Sequence, residues 1–572
     1  MSDIIGKSKK DRTFDAIVIG SGISGGWAAK ELCEKGLKTL VLERGRNVRH
    51  VVDYPTATKK PWEFPYGNKV PQHEVEAHYE KQNRTGYTIR QSLKHWWVKD
   101  DEHPYTEKKR FDWIRGYHVG GRSIMWGRQS YRLSDMDFEA NAREGIGTDW
   151  PIRYKDLAPW YDYVEGFAGI NGRKEGLRQL PDGNFLPPMD MNCLEDHVSK
   201  QIASLYTDRI MTIGRSANLT RAHKGRTPCQ YRNLCSRGCP YGAYFSSQSA
   251  TLPAAEATGN MTLRPHSIVS EILVDKNSGK ASGVRIMDAE SRDYIDFYSR
   301  IVFCNASTLG TTLILMNSKS DLHPEGLGAS SGELGHNVMD HHFRVGAEGK
   351  YDGFQDKYYK GKRPNGIYIP RFRNLPWDAS TKMKDFLRGY GYQGGASRDN
   401  WSDAVAELGF GADFKEELKQ PGQWSMGINA FGECLPYHEN KVTLNEEVRD
   451  KYGMPTLTMD VEFKENERNM RKDMKEQAVE MLEAAGLKEV KPFDTASYPG
   501  LGIHEMGTAR MGSSAKNSVL NKWNQLWDCP NVFITDGSSM TSAACQNPSL
   551  TYMALTARAA DYAVSEMKKQ NL

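Results

Sequence analysis

Two hydrophobic periods follow one another at the start of the chain. Phe14 to Ile19 is a short apolar run with β-branched residues, which predicts a buried parallel strand. The stretch WAAKELCEKG then reads as a helix ending at Gly36, and KTLVLERG reads as a second strand. Strand, helix and strand make a βαβ unit. Near the other end, NVFITDG predicts another strand, and a helix follows Pro548 through Ala560, since proline suits the first turn of a helix. Between these ends the pattern is less regular. Residues 51–110 lack clear periodicity and read as a long excursion. Residues 170–190 read as loop from their Gly and Pro punctuation. The polar, aromatic stretch 350–425, with alternating pieces such as GIYIPRF, reads as part of a sheet-containing substrate domain.

Length and charge narrow the picture. A chain of 572 residues predicts two or more domains, sequential or interleaved. The net charge of +4, from 76 basic and 72 acidic residues, is too balanced for an electrostatic nucleic-acid binder. No apolar stretch approaches the ~18–20 residues of a membrane span. The residues before Phe14 hold no apolar core of a secretory signal. Of nine cysteines, six are scattered singly, which is not the pattern of a disulfide framework.

The chemistry starts in the turn after the first strand, Gly20-Ser21-Gly22-Ile23-Ser24-Gly25-Gly26. Gly20 permits the tight turn, Gly22 lets backbone approach a pyrophosphate, and Gly25 lets helix and strand pack closely. The helix N-terminus adds partial positive charge. Glu43 ends the second strand, 23 residues after Gly20, where a carboxylate can bind a ribose hydroxyl. The motif predicts a dinucleotide site and leaves NAD and FAD unseparated.

Three further blocks separate them. The first is Gly116-Tyr117-His118-Val119-Gly120-Gly121-Arg122-Ser123-Ile124-Met125-Trp126-Gly127. The second is His504-Glu505-Met506-Gly507-Thr508-Ala509-Arg510-Met511-Gly512. The third joins Asp536-Gly537-Ser538 to Gln546-Asn547-Pro548-Ser549-Leu550. In order and spacing these blocks and the βαβ unit resemble the glucose–methanol–choline (GMC) oxidoreductases over nearly the whole chain. The resemblance implies an α/β fold, α+β overall. A Rossmann-like FAD domain is interleaved with a substrate domain on an antiparallel sheet. The expected FAD domain is discontinuous: 12–50, 105–135, 225–320 and 500–572. The substrate domain takes mainly 136–224 and 321–499, with 51–104 as the excursion.

Residue by residue, the resemblance gives Gly20, Gly22, Ile23, Ser24, Gly25, Glu43 and Arg44 to the ADP half of FAD. Gly120, Gly121, Ser123, Met125 and Trp126 belong to the block that crowds the flavin. Val269 resembles the strand position facing the adenine, and Ala306 opens a second small-residue approach. Asp536 and Gly537 would meet the ribityl–pyrophosphate region. Asn547 and Pro548 would bring a helix N-terminus to the flavin, where its dipole favours the anionic reduced form. In the related pyranose 2-oxidases a histidine in the second block is linked covalently to flavin. Met125 matches that position here, so the expectation is non-covalent FAD. His504 matches the family's catalytic histidine and Asn547 its second position. An imidazole suits removal of a hydroxyl proton while hydride leaves the adjacent carbon. His341 and His342 in NVMDHHF are either near the pocket or structural, and neither is assigned a catalytic role.

Cys229, Cys235 and Cys239 lie within 11 residues. Three thiols can fold around one metal centre. Three readings stay open: a 3Fe–4S cluster on loop 225–245, a zinc site with His223 as a fourth ligand, or three reduced structural thiols. The spacing resembles the membrane-linked FAD glucose and fructose dehydrogenases, whose catalytic subunits carry a 3Fe–4S cluster. That resemblance implies electrons leaving singly to a cytochrome c. It also implies a small partner subunit that carries the export signal to the periplasm; a cytoplasmic enzyme is the alternative. The layout resembles glucoside 3-dehydrogenase flavoprotein subunits, implying oxidation at carbon 3 of glucosides or disaccharides to 3-keto sugars. Alternatives are a gluconate-type sugar-acid 2-dehydrogenase, a pyranose-type oxidase using oxygen, and a non-catalytic electron-transfer subunit.

Overall fold

A computed structural model describes residues 8–359, 361–399, 411–420 and 422–572. The first unit forms as its pattern predicts. Strand β1 (Thr13–Ile19) buries Ile17 and Val18, on opposite faces, as a central parallel strand must. Helix α1 (Ile23–Glu34) returns the chain to β2 (Thr39–Leu42), which pairs parallel with β1 from Ala16 opposite Thr39 to Ile19 opposite Leu42. β1 is central because the long strand Tyr294–Cys304 pairs parallel on its other side. Met261–Arg264 extends the sheet beyond β2, and an antiparallel pair, Ala281–Asp288 and Ser267–Val274, extends it beyond Tyr294–Cys304. The short strand Val532–Phe533 also joins Tyr294–Cys304. The C-terminal helix Ser549–Lys568 packs on α1 and on the helix Tyr154–Ala168, sealing one face of this sheet.

A second, antiparallel sheet of six strands is built from Lys488–Asp494, Val345–Tyr351, Trp424–Gly432, Tyr390–Arg398, Ile367–Ile369 and Thr212–Ile213, in that order. Trp424–Gly432 shows why it has two different faces. Trp424, Met426, Ile428 and Ala430 are buried, alternating with half-buried Ser425, Gly427, Asn429 and Phe431. The buried set packs on Met470, Met474, Ala478 and Met481 of the helix Glu465–Ala484. The other face is left for a ligand. The 350–425 region thus supplies sheet strands, as its alternating pieces predict; residues 360, 400–410 and 421 of it lie outside the described residues.

A small third sheet pairs Lys441–Arg449 with Pro455–Asp460, and Thr106–Glu107 joins it in parallel. Residues 170–190 contain no helix or extended strand, in line with their loop composition. The excursion 51–104 holds only short helical turns. Among the described residues no helix is long and apolar enough to cross a membrane.

Candidate active site

A cavity of about 610 Å³ runs from the β1–α1 turn to the free face of the antiparallel sheet, within the range of small-molecule and cofactor sites. Its first end is made of backbone. Gly20, at φ +88°, makes a turn only glycine adopts easily, and a Cβ there would stand 2.4 Å from the Asn305 carbonyl oxygen. At Gly22 an added Cβ would meet no protein atom within 4 Å, because that side faces the cavity. Gly25 works differently. Its Cβ would lie 1.8 Å from the Gly20 carbonyl oxygen, so it is a packing glycine and does not line the cavity.

Most of the residues expected at a dinucleotide reach this cavity. Gly20, Gly22, Ile23, Ser24, Glu43, Arg44, Gly121, Ser123, Met125, Trp126, Val269, Ala306, Asp536 and Gly537 line it, with His504 and Asn547. Gly25, Gly120 and Pro548 do not. Gly120 is held behind the wall: its amide donates to Ser21 Oγ at 2.9 Å and its Cα faces the Gln248 amide. Pro548 caps the C-terminal helix, and its neighbours Asn547 and Ser549 line the cavity. Glu43 accepts from the Ser21 hydroxyl at 2.5 Å and from the Gly45 amide at 3.0 Å. Arg44 is paired with Asp450 and lies over the Tyr117 ring at 4.5 Å.

The other end is made of side chains. His504 lies on the loop before Glu505, and its backbone amide donates to Asp340 Oδ1 at 3.0 Å. Its Nε2 faces Asn547 Nδ2 at 3.4 Å, and its Nδ1 faces His341 Nδ1 at 2.9 Å. Burial, with His341 and the Arg122 cation nearby, holds the His504 imidazole well below its ordinary value. It is therefore neutral near pH 7 and free to accept a proton. Arg122 is clamped by Glu505 through bonds of 3.1 and 2.9 Å. Asn547 Oδ1 accepts from Gln393 Nε2 at 2.6 Å, which turns the Asn547 amide nitrogen towards His504. Gln393 comes from the free face of the antiparallel sheet, as does Phe431, which stacks on Phe343 with ring centres 5.2 Å apart.

Sequence reasoning missed several of these residues. Gln393 sits in a strand whose register cannot be read from its Gly-rich pattern. Tyr87 and Trp97 enter the cavity wall from the excursion 51–104, and nothing in their local spacing marks them. His341 carries a visible signal, the pair His341-His342, but not its direction. The two rings part company: His341 meets His504, while His342 packs on Phe463 and the Gly432 backbone.

The cysteine loop is where a metal centre is expected. Cys229, Cys235 and Cys239 are half-buried, and Cys229 and Cys239 pack on Leu186, Leu219 and Ala243. Cys229 Sγ accepts from the Tyr231 amide at 3.4 Å, and burial pushes its thiol up. His223 Nε2 donates to the Gly166 and Phe167 carbonyls, at 2.9 and 3.3 Å, which leaves Nδ1 as its acceptor nitrogen. Among the described residues no three His, Cys, Asp or Glu side chains are grouped to hold a metal ion. No electron step is derived through a centre on these thiols.

Backbone turn, cavity and facing imidazole together define a nucleotide-cofactor oxidoreductase. Models of the GMC oxidoreductase family match residues 14–343 and 436–556, and the chain belongs to that family. It is an FAD-binding oxidoreductase acting on CH–OH groups. The chain is 29% identical to the 2-methyl-1,2-propanediol dehydrogenase of Mycolicibacterium austroafricanum, covering 96% of this chain and 94% of that protein. It is 24% identical to the fructose dehydrogenase large subunit of Gluconobacter japonicus, covering 98% of this chain and 100% of that protein. The fold is that of Aspergillus oryzae formate oxidase, with a TM-score of 0.60 at 14% identity over 97% of this chain and 99% of that one.

FAD fits the cavity on structural grounds. The open side of Gly22 and the positive-φ turn at Gly20 leave room for a pyrophosphate against backbone, and α1 points its N-terminus there.

Proposed function

We propose that the protein is an FAD-dependent dehydrogenase of a sugar or polyol, oxidising one carbinol to a carbonyl with His504 as base. The observation that carries this reading is the neutral, buried imidazole facing Asn547 in the cofactor cavity. Gly20, Gly22 and Glu43 hold the ADP half of FAD, and Ser123, Met125 and Trp126 its flavin. When bound, FAD supplies the two-electron acceptor for the hydride. The substrate hydroxyl lies between His504 Nε2, which takes its proton, and the Asn547 amide, which donates to its oxygen. Arg122 is paired with Glu505 at 2.9 Å and, as a donor-only cation, takes no proton.

Sugar is favoured by the pairing of hydrogen-bonding Gln393 and Asn547 with the flat Phe431 and Phe343, since sugars offer both hydroxyls and an apolar face. The resemblance set out above narrows the proposal to carbon 3 of glucosides or disaccharides. Met125, which has no nucleophilic nitrogen, supports non-covalent FAD. A second substrate reading has its own observation. Arg128 lines the cavity, its Nη1 and Nη2 donate to the Trp126 and Pro364 carbonyls at 3.2 and 2.8 Å, and its Nε has no partner. Such a cation suits the carboxylate of a sugar acid such as gluconate.

The test is anaerobic bleaching of the flavin by methyl glucoside, trehalose, lactose, fructose and gluconate, with product analysis. Bleaching by a glycoside with a 3-keto product supports the carbon-3 reading, and bleaching by gluconate alone transfers the proposal to sugar acids. No bleaching by any of them sinks the dehydrogenase reading and favours a non-catalytic electron-transfer subunit. Peroxide formation in air at the rate of reduction identifies an oxidase instead.

Dehydrogenase chemistry needs an electron exit. The resemblance extends the proposal to a 3Fe–4S cluster on Cys229, Cys235 and Cys239, a cytochrome c acceptor and a small partner subunit that brings the protein to the periplasm. Iron and acid-labile sulfide on anaerobically purified protein decide it; finding neither removes the cluster from the proposal.

A further inference from the structure

The motif NVMDHHF has no part in the chemistry so far, yet two of its residues grip the catalytic loop. Asp340 accepts from the amides of Gly502 and His504, at 2.9 and 3.0 Å, so it fixes the loop's backbone. His341 contacts the ring of His504 itself, with ring centres 4.9 Å apart and planes at 80°. It is fully buried, and its second nitrogen, Nε2, lies 2.8 Å from the Ala544 carbonyl oxygen.

The direction of every proton in this contact follows from elementary chemistry. A carbonyl oxygen only accepts, so His341 Nε2 carries a hydrogen. Burial lowers the His341 imidazole to about 4, so the ring is neutral and has one N–H. Its Nδ1 is then a bare acceptor. The 2.9 Å contact between the two Nδ1 atoms requires one hydrogen, and only His504 can provide it. His504 is neutral as well, so its Nε2 has no hydrogen and presents a lone pair to Asn547 and the cavity. The bonds run one way: Gln393 to Asn547, Asn547 to His504, His504 to His341, His341 to Ala544. The last acceptor belongs to Ala544, a buried non-glycine residue at φ +56°, a conformation that persists only where its surroundings hold it.

We infer that His341 is a positioning residue that locks His504 in the tautomer with a bare Nε2, through a relay anchored on the Ala544 carbonyl. This rests on the reading of His504 as the base. The opposite tautomer would place two lone pairs face to face at Nδ1 and turn an N–H towards the substrate hydroxyl, where a base is needed. Asn547 Nδ2, at 3.4 Å from Nε2, favours the same tautomer, and the 2.9 Å contact to His341 is the shorter and stronger of the two constraints.

Substitutions at 341 divide the two nitrogens. His341→Asn keeps an acceptor where Nδ1 stood. His341→Gln keeps a donor towards Ala544 and places no acceptor at Nδ1. His341→Leu removes both. The expected result on the FAD-loaded protein is a limiting rate of flavin reduction within about threefold of wild type for His341→Asn and a fall of about 10²-fold for His341→Gln and His341→Leu. FAD content and the half-saturating sugar concentration should change little. NMR of nitrogen-labelled histidine should show the His504 signal, identified by its loss in His504→Ala, protonated at Nδ1 and bare at Nε2. In His341→Gln it should show both tautomers.

Equal losses in the Asn and Gln variants at full FAD content would reduce His341 to a packing residue. A His504 signal protonated at Nε2 in the wild type would overturn the tautomer assignment outright, and it needs no active substrate. Should the Leu variant fail to fold, the Asn and Gln pair still decides. His504→Ala keeps the two readings apart. Near-normal reduction in that variant sinks the base assignment. A dead His504→Ala beside an unimpaired His341→Gln sinks only the role of His341.

Discussion

The two ends of the cavity solve different problems. The nucleotide end is built from one contiguous crossover, residues 13–45, and works through backbone: a glycine turn, a helix N-terminus and one carboxylate. The catalytic end is built from side chains on four separate segments, around residues 341, 393, 504 and 547. The first end tolerates no atoms added where backbone meets backbone. The second tolerates changes of shape and fails when a donor or an acceptor is lost. Recognition of a charged, invariant cofactor half can be left to the main chain, while proton transfer requires a defined lone pair.

This contrast can be broken most severely at Gly25. Gly25→Ala forces a Cβ to within 1.8 Å of the Gly20 carbonyl oxygen, so the crossover cannot close. The expected outcome is protein without flavin absorbance, or no soluble protein; a yellow, stable variant would show that the crossover can open without loss. At the other end, His504→Ala should keep its FAD and lose about 10³-fold in the rate of flavin reduction, read by stopped-flow absorbance.

Asp340 tests whether the catalytic loop depends on a carboxylate. Burial and the neighbouring Glu505 push Asp340 up to about 7, and the amides of His504 and Gly502 pull against that. Asp340→Asn replaces one acceptor by an amide nitrogen facing a backbone N–H. Thermal unfolding of the holoprotein should show a loss of about 1–3 kcal/mol, the cost of an unpaired buried donor. Gln393→Leu frees Asn547 to turn its oxygen towards His504. The half-saturating sugar concentration should rise by roughly threefold to tenfold, for about 1 kcal/mol of lost hydrogen bonding, with the limiting rate less affected.

The smallest effect expected is an absence of change. The base form of His504 is the neutral one, and its affinity for a proton is held well below that of a free imidazole. The reduction rate should therefore show no titration of His504 at the ordinary histidine value of about 6.5, and an inflection near 7 that Asp340→Asn removes belongs to Asp340. A midpoint near 6.5 that survives in Asp340→Asn would mean that the imidazole is solvated in the working enzyme.

Sequence and structure agree best where function resides in local backbone. Gly20, Gly22 and Glu43 could be assigned from spacing because strand, turn and helix are consecutive, and each glycine has a local steric reason. The cysteine loop shows the limit of spacing. Three thiols within 11 residues allow a metal centre, but convergence depends on where the loop's neighbours hold each sulfur, and among the described residues no three His, Cys, Asp or Glu side chains are grouped to hold a metal ion.

The sequence by itself determined the FAD crossover and the family, and singled out His504 and Asn547 as candidates, because those signals lie in short segments with fixed order. Only the tertiary structure decided what surrounds them. Gln393 is aimed at Asn547 by strand register, Tyr87 and Trp97 arrive from an aperiodic excursion, and His341 meets His504 across 163 positions of chain. Hydrogen-bond direction is a property of the assembled site: which nitrogen of His504 is bare is settled by a carbonyl at Ala544, a residue that no local pattern singles out.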